Sequence, residues 1–215
     1  STLAEGCLRL QLGNDRRRVE VAQQVAQQGA ALAALGVRPP QRADARRNFD
    51  ALITAARAVF AEQGTDASLE EVARRAGVGI GTLYRNFPTR QDLFERVYIG
   101  EVEDLCAVAR DVAEREPWAA LAAWLRRFID YIATKRALME ALSTGSPVFA
   151  VCRAEMYAAG TPLFERARAA GEVRADLEFD DLVRMLSGLT SATFTDDEQR
   201  ERVFRIALDG IRARS

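Results

Sequence analysis

The sequence predicts an all-α protein, with a three-helix helix-turn-helix unit near its amino end and a helical bundle after it. Apolar residues recur at spacings of three and four along most of the chain beyond residue 43, which is the helical period. No stretch alternates apolar and polar residues as a half-buried strand would. Helix start and stop signals such as Ser68, Gly77 and Pro117 divide the pattern into separate helices.

Composition limits the chemistry that the chain can perform. Histidine is absent and the three cysteines, Cys7, Cys106 and Cys152, have no metal-ligand spacing, which excludes a Ser-His-Asp triad and a His-ligated zinc site. We therefore expect no enzyme activity, no metal and no cofactor. Cys152 lies on an apolar helix face and is interpreted as a small buried hydrophobe, with redox sensing as the alternative. No run of eighteen apolar residues and no signal peptide is found, so a cytoplasmic location is expected.

Charge is balanced overall, with 30 basic and 31 acidic residues, but it is unevenly distributed. Residues 1–96 carry 14 basic and 11 acidic groups, and the remainder carries 16 and 20. A weakly basic amino half on an acidic body is compatible with a small DNA-binding face.

Residues 1–40 form an extension whose order the sequence does not decide. A helical pattern over residues 19–35 is interrupted by Gly29 and stops at Gly36 and Pro39. The run Arg16–Arg18 is better explained as a solvated charge run than as an arm that enters a DNA groove, although the arm stays open.

A long amphipathic helix follows over residues 43–63, with Phe49, Leu52, Val59 and Phe60 on one face and Gly64 at its end. Arg46 and Arg47 near its start oppose the helix dipole. Two explanations are equally good: a nearby DNA phosphate, or simple solvation.

The stretch SLEEVARRAGVGIGTLYRNF, residues 68–87, predicts two short helices around a glycine turn. Ser68 and Glu71 have the spacing of a capping box, and Gly77 provides the left-handed exit. In the second helix Ile80, Leu83 and Phe87 are expected to anchor inward. Its remaining polar side chains can bond phosphates and base edges, as in a recognition helix: Thr82, Tyr84, Arg85 and Asn86. Pro88 ends this helix and Thr89 begins the next, with Arg90 in its first turn.

The chain from about residue 43 to 93, and above all the run GVGIGTLYRNFPTRQDLF, resembles the DNA-binding domain of the TetR family of transcriptional repressors. The resemblance implies that Thr82, Tyr84, Asn86 and Arg90 contact the DNA backbone and that Gly79–Gly81 approach base edges. The position of Asn86 is often histidine in that family, so this contact departs from the usual pattern. The candidate DNA-binding residues are Arg46, Arg47, Ser68, Gly79, Ile80, Gly81, Thr82, Tyr84, Arg85, Asn86 and Arg90.

Beyond Arg90 the pattern stays helical. Helices are predicted over residues 90–114, 117–134, 136–142, 147–169 and from about 179 to 189, with a loop at 143–146 and a last helix from Asp196. The domains are therefore residues 1–40 as an extension, 41–90 as the DNA-binding domain, and 91–215 as a ligand-binding and dimerisation domain.

The resemblance implies that the second domain holds an apolar effector cavity and forms a homodimer through its last two helices. Packing in an ordinary core remains the simpler explanation for each single aromatic residue. Candidate cavity residues are Trp124, Phe128, Tyr131, Phe149, Cys152, Met156 and Tyr157. Candidate dimer contacts are Leu182, Leu186, Leu189, Val203, Phe204 and Leu208.

The expected function is that of a repressor that leaves a palindromic double-stranded DNA operator when a small, largely apolar molecule binds. Two alternatives are weighed. An all-helical enzyme is disfavoured because no acid, base or nucleophile set converges. A helix-turn-helix dimer that binds no effector differs only by lacking a closed apolar cavity.

Overall fold

The computed structural model describes Leu32 and residues 35–139, 146–190 and 192–213. The helix predicted over 19–35, apart from Leu32 and Leu35, lies outside these residues. So do Arg16–Arg18, Cys7 and most of the loop at 143–146.

Eight α-helices account for most of the described chain, which confirms the all-α prediction. They are α1 (Ala43–Gln63), α2 (Leu69–Arg75), α3 (Ile80–Asn86), α4 (Arg90–Asp111), α5 (Pro117–Met139), α6 (Val148–Ala169), α7 (Phe179–Leu189) and α8 (Asp197–Ile211). Within the described ranges no strand forms, and extended pairing is limited to the bridge between Val173 and Arg212. None of the described helices is both long and apolar enough to cross a membrane.

The first three helices enclose one small core, in which α1 packs on α2 and α2 on α3. Gly77 joins α2 to α3 with φ +69°, a left-handed conformation that favours glycine. The Val78 N–H bonds to the Ala73 carbonyl at 3.0 Å and the Gly77 N–H to the Arg74 carbonyl at 3.1 Å. This pair of bonds is a Schellman motif, and it fixes the turn between the two short helices.

The start of α2 differs from its prediction in one half of the capping box. The Ser68 hydroxyl accepts from the Glu71 N–H at 3.2 Å, as expected. The Glu71 carboxylate, however, faces Arg74 and Arg75 instead of the Ser68 N–H. Two guanidinium groups attract this carboxylate more strongly than one backbone amide does. The complete capping box occurs at the start of α4, between Thr89 and Asp92.

Two predicted boundaries in the bundle are wrong. The separate helices over 117–134 and 136–142 are one helix in the described chain, because α5 runs unbroken to Met139. No glycine or proline interrupts residues 133–139, so nothing in the backbone ends the helix there. The helix predicted to reach residue 114 ends at Asp111, with Val112 as its C-cap.

The bundle consists of α4, α5 and α6 packed against one another. The end of α8 and the residues after it contact this bundle and the turn that follows α6. The Arg174 N–H bonds to the Ile211 carbonyl and the Ala213 N–H to the Glu172 carbonyl, both at 3.0 Å. The Arg212 guanidinium stacks 4.7 Å from the Trp118 ring centre at the start of α5. These contacts hold α8 beside α7 and α5.

Candidate functional site

One exposed surface of α3 carries the residues predicted to meet DNA. Leu83 and Phe87 are fully buried and hold the helix to the core, while 47% of Tyr84 is exposed. Ile80 is 38% exposed, so its predicted role as an inward anchor is wrong, and it lies on the outer surface instead. A Cβ added at Gly79 or Gly81 would meet no atom within 4 Å. The outer side of α3 is therefore open enough for another surface to approach its backbone closely.

The polar side chains of α3 organise one another. Arg85 donates from Nη2 to the Thr82 hydroxyl at 2.9 Å, and the Asn86 amide donates to the Thr82 carbonyl at 2.8 Å. Both bonds run along the helix, so they orient the groups without binding them to another element. A guanidinium and a hydroxyl placed side by side can bond one phosphate or two neighbouring acceptors.

The other candidates surround this helix less closely. Arg90 stacks on Phe94, with its guanidinium 5.0 Å from the ring centre. Ser68 uses its hydroxyl to cap α2 and to donate to Glu70. Arg46 pairs with Asp50 at 3.1 Å and Arg47 pairs with Asp44, all four side chains being largely exposed. Exposed pairs of this kind open at little cost, so either arginine is available to a phosphate.

Arg74 and Arg75, in contrast, are committed to acidic partners. Arg75 bonds Glu62 at 2.6 Å and Glu71 at 2.7 Å, and Arg74 bonds Glu71 at 2.7 Å. These hydrogen bonds, from Arg74 first and then from Arg75, lower the pKa of Glu71 to about 2. The cluster ties α2 to the end of α1 and presents little net positive charge.

The predicted cavity residues come together in an aromatic cluster between α5, α6 and α7. Trp124 stacks on Phe128 with ring centres 5.3 Å apart, and Phe128 meets Tyr131 at 5.8 Å. Phe149 and Tyr157 lie at its border and are half-buried. Three further aromatic members, Tyr98, Phe164 and Phe179, were not among the predicted cavity residues. Tyr98 precedes buried Val102 and Leu105 by four and seven residues, which is the signal that could have found it.

Cys152 is fully buried inside this cluster, and burial raises the pKa of its thiol to about 12. At neutral pH the sulfur is therefore a protonated thiol, which reacts slowly with oxidants. The residue behaves as a small core hydrophobe, and its environment disfavours redox sensing.

The cluster is closely packed in this structure. A Cβ added at Gly160 would come within 2.4 Å of Trp124 Cη2 and 2.5 Å of Phe179 Cζ. Two surface pockets lie elsewhere, one between the start of α7 and the end of α8 and the other beside Phe194. Neither pocket is lined by a predicted cavity residue.

A buried ionic network joins the three-helix unit to the bundle, and sequence reasoning missed it. Glu101 of α4 meets Arg127 of α5 at 2.6 Å and Arg57 of α1 at 3.0 Å. The Arg57 contact is an ion pair and not a linear hydrogen bond. Asp104 adds a second carboxylate, 2.8 Å from Arg57. The sequence feature that could have revealed this network is the position of Glu101, an acidic residue on the same helix face as buried Val97 and Leu105.

The candidate dimer residues divide into two groups. Leu182, Leu186 and Phe204 are buried by the chain's own residues, so their side chains contribute no surface to a partner. Leu189, Val203 and Leu208 remain half-exposed. Ile206, which was not predicted, is 64% exposed on the same helix as Val203.

Two sequence families match this chain, one over the helix-turn-helix and the start of α4, and the other over the helices that follow α4. Residues 52–97 match the family described as bacterial regulatory proteins, tetR family. Residues 116–213 match the family described as transcriptional regulator SbtR-like, C-terminal domain. The first match contains α2, α3 and the turn between them, and the second contains the aromatic cluster of α5, α6 and α7.

Solved structures agree with these matches. A TetR transcriptional regulator from Streptomyces coelicolor is 42% identical with a TM-score of 0.67, and the match covers 77% of this chain and 99% of that one. A TetR transcription regulatory protein from Mycobacterium vanbaalenii is 34% identical with a TM-score of 0.62, covering 81% and 100%. A ketosteroid transcriptional regulator of Mycobacterium tuberculosis, 20% identical with a TM-score of 0.55 over 82% and 100%, shares the fold. The helix-turn-helix geometry, the two family matches and these identities together show that the chain belongs to the TetR family of transcriptional regulators.

Proposed function

We propose that the protein is a homodimeric repressor that binds a palindromic operator through α3 and leaves it when a small molecule binds in the second domain. The open, polar outer face of α3 carries the proposal. Buried Leu83 and Phe87 hold a helix whose outer side offers a hydroxyl, a guanidinium and two glycines without crowding. Such a surface suits the major groove, where backbone approach and hydrogen bonding are both needed.

A two-fold dimer would present two copies of α3 to successive major grooves. This arrangement requires half-sites about one helical turn apart, or a compatible multiple, and a symmetric operator. The apolar surface left on α8 by Ile206 and Val203 supports a partner there. Their position at the far end of the chain from α3 leaves the DNA-facing surface free.

Helix α4 supports the coupling between the two functions. It begins with Arg90 beside α3 and carries Tyr98 into the aromatic cluster. Glu101, less than one turn later, binds Arg57 of α1 and Arg127 of α5. A ligand that separates α4 from α5 would break the pair between Glu101 and Arg127 and so change the charge balance at Arg57 of α1. Its effect on DNA affinity is limited to its differential affinity for the two arrangements.

A helix-turn-helix dimer that binds no effector is the second candidate, and the close packing around Gly160 favours it. The two candidates predict the same DNA binding. They differ in whether any small molecule lowers that affinity in a dose-dependent way.

Fluorescence anisotropy tests the DNA-binding part of the proposal. The protein is titrated against duplex DNA from upstream of its own gene and against a scrambled duplex of the same length, at two salt concentrations. We expect tight binding to a symmetric site and a steep loss of affinity with salt, because phosphate contacts release counterions. A selection from random duplexes is run in parallel, so that an operator elsewhere is still found. Failure of that selection to enrich any symmetric sequence would overturn the proposal.

A further inference from the structure

We infer that the effector is an uncharged, largely apolar molecule with a hydrogen-bond acceptor near each end, one for Trp124 and one for the Tyr98–Tyr131 pair. This inference rests on the proposed effector-released repression and names the chemical class of the ligand. Two buried donor groups, at opposite ends of the aromatic cluster, carry it.

The first donor is the indole N–H of Trp124. The side chain is fully buried, and its Nε1 has no acceptor within hydrogen-bonding distance among the described residues. Its ring neighbours are Phe128 at 5.3 Å and Phe179 at 5.9 Å, neither of which accepts a conventional hydrogen bond. Buried N–H groups nearly always have a partner, so an unmatched donor in a ring cluster indicates that something else supplies the acceptor.

The second donor belongs to two tyrosines that bond each other. The hydroxyl oxygens of Tyr98 and Tyr131 are 2.9 Å apart, and both rings are buried. One hydroxyl proton fills this bond, and the proton of the other hydroxyl has no acceptor in the described part of the chain. Burial raises the pKa of Tyr98 to about 12 and that of Tyr131 well above its usual value. Both groups therefore stay protonated and act as donors.

The spacing of these donors sets the length of the ligand. Trp124 and Tyr131 lie on the same face of α5, about two turns apart, and a helix rises 1.5 Å per residue. Their Cα positions are thus separated by roughly 10 Å along the helix axis, which sets the scale of the ligand's length. Between them lie Phe128 of α5 and, from α6, Cys152 and Met156, all buried and none charged. An apolar body with an oxygen at each end matches this sequence of groups.

The inference requires that the effector carry no charge. Lys135 is a cation beside the Tyr131 end of the cluster, with its Nζ 6.0 Å from the Tyr131 ring centre. Arg153 and Arg168 lie 5.3 and 5.6 Å from the Tyr157 and Phe164 ring centres. Burial, and then the nearby Arg153, lower the pKa of Lys135. Its ammonium lies over the ring face and is half-exposed, whereas the unmatched donors are neutral and buried. The site therefore favours ligands with carbonyl or ether oxygens over ligands with a carboxylate. If acids bound more tightly, Lys135 would be the group that recognises the ligand.

Three matched probes separate these cases. The first is biphenyl with an acetyl group at each para position. The second is its diisopropenyl analogue, in which each C=O becomes C=CH2 without a change of shape. The third is the biphenyl dicarboxylate. Affinities are measured by calorimetry with the full-length protein. We expect the diketone to bind about 30-fold more tightly than the diisopropenyl compound, the difference that two net hydrogen bonds produce.

Variants then locate the two acceptors. Trp124→Phe and the double variant Tyr98→Phe/Tyr131→Phe should each reduce the preference for the diketone. The two tyrosines are replaced together because either hydroxyl left alone can still donate its proton to the ligand. The double change removes only two oxygens and keeps both rings. Trp118→Phe is the matched control, because Trp118 stacks under Arg212 outside the cluster. Equal binding of the diketone and the diisopropenyl compound, tighter binding of the dicarboxylate, or no saturable binding of the diketone would each overturn the inference.

The proposed repressor function and the proposed ligand class can be tested independently of each other. DNA affinity of the ligand-free protein is measured in the anisotropy assay and involves no probe. If DNA binding is intact while the diketone shows no preference, only the ligand class is wrong. If the diketone binds as expected but the protein selects no DNA site, the repressor proposal fails and the binding site stands.

Discussion

Glu101 of α4 and Arg127 of α5 form an ion pair of 2.6 Å, with 7% and 20% of the two side chains exposed. Arg57 of α1 shares the same carboxylate at 3.0 Å. One buried acid thus neutralises two arginines from different parts of the fold. Together with Asp104, these residues form an ionic network that links α1 of the three-helix unit to α4 and α5 beside the aromatic cluster.

Replacing Glu101 by glutamine should lower the free energy of unfolding by about 3 kcal/mol. The change leaves Arg57 and Arg127 close together with only Asp104 to balance them. Urea denaturation followed by circular dichroism measures the loss. Arg202→Gln is the control, because its pair with Glu198 is exposed and should contribute less than about 0.5 kcal/mol. An equal effect in both variants would show that the buried network has no special role.

Much of the fold follows from local signals that tertiary contacts do not override. Gly64 and Gly77 end their helices where predicted because each adopts a positive φ, and Thr89 and Asp196 begin theirs by accepting backbone N–H groups. The prediction that a helix ends near residue 135 is wrong because no residue there opposes helix formation. Ile80 has the spacing of one helix face with Leu83 and Phe87, but it is the first residue of α3 and stays 38% exposed.

The candidate sites were harder to predict, because they depend on contacts between distant residues. The α3 surface is local, so the sequence could nominate it. Glu101 meets Arg57 across 44 positions and Tyr98 meets Tyr131 across 33, and neither pairing leaves a motif. Burial of Leu182 and Leu186 by the chain itself likewise needs the packed structure. Periodicity shows that a helix face is apolar, but not what covers it.

Tyr84→Phe should weaken operator binding about tenfold if its hydroxyl bonds a phosphate, since hydrogen bonds to charged groups contribute about 1.5–3 kcal/mol. Tyr84 is 47% exposed, so loss of the hydroxyl should leave the melting temperature unchanged. Fluorescence anisotropy measures the affinity. Arg202→Gln, far along the chain on α8, is the control.

Arg90→Ala should also weaken binding and should reduce the slope of log affinity against log salt by about one. Arg90 lies in the first turn of α4, stacked on Phe94. The titration is repeated over a range of salt concentrations. An unchanged slope would remove the assigned phosphate contact, even if the affinity fell.

Cys152 and Cys106 should resist alkylation in the native protein. Burial raises the pKa of Cys152 to about 12 and that of Cys106 to about 11, so little thiolate exists at pH 8. Iodoacetamide labelling, mapped by mass spectrometry, should be at least 100-fold slower at both residues than in urea-unfolded protein. If Cys152 were labelled as fast in the native protein as in the unfolded protein, its thiol would be accessible and reactive, which would support redox sensing.

The same shifts predict a loss of stability in alkali. A thiol whose pKa is raised by folding contributes its full stability below its unfolded pKa, about 8.5, and that contribution falls as the pH rises toward 12. Cys152→Ala should therefore show a flatter decline of unfolding free energy between these values than the unaltered protein does. Parallel curves would contradict the assigned pKa.

If the protein dimerises through α8, as proposed, Ile206→Glu should shift it from dimer toward monomer. The side chain is 64% exposed in one subunit, so a charge there costs little in folding. At a two-fold contact the same substitution places two carboxylates close together in an apolar surface, which opposes association. Sedimentation velocity over a range of concentrations measures the change, with Arg202→Gln as a control on the same helix. A dimer of unaltered strength would place the interface on another surface.

Gly81→Ala separates folding from DNA recognition at one position. An added Cβ meets no atom within 4 Å, and alanine favours a helix by about 0.5–1 kcal/mol over glycine, so thermal stability should rise or stay constant. The same methyl group occupies the space that close approach to a base edge requires, so operator affinity should fall. The affinity for scrambled DNA should change less, because phosphate contacts carry most of it. If the variant were more stable and bound its operator with unchanged affinity, Gly81 would have no role in DNA recognition. Recognition would then have to be assigned to the side chains of α3, such as Tyr84 and Arg85.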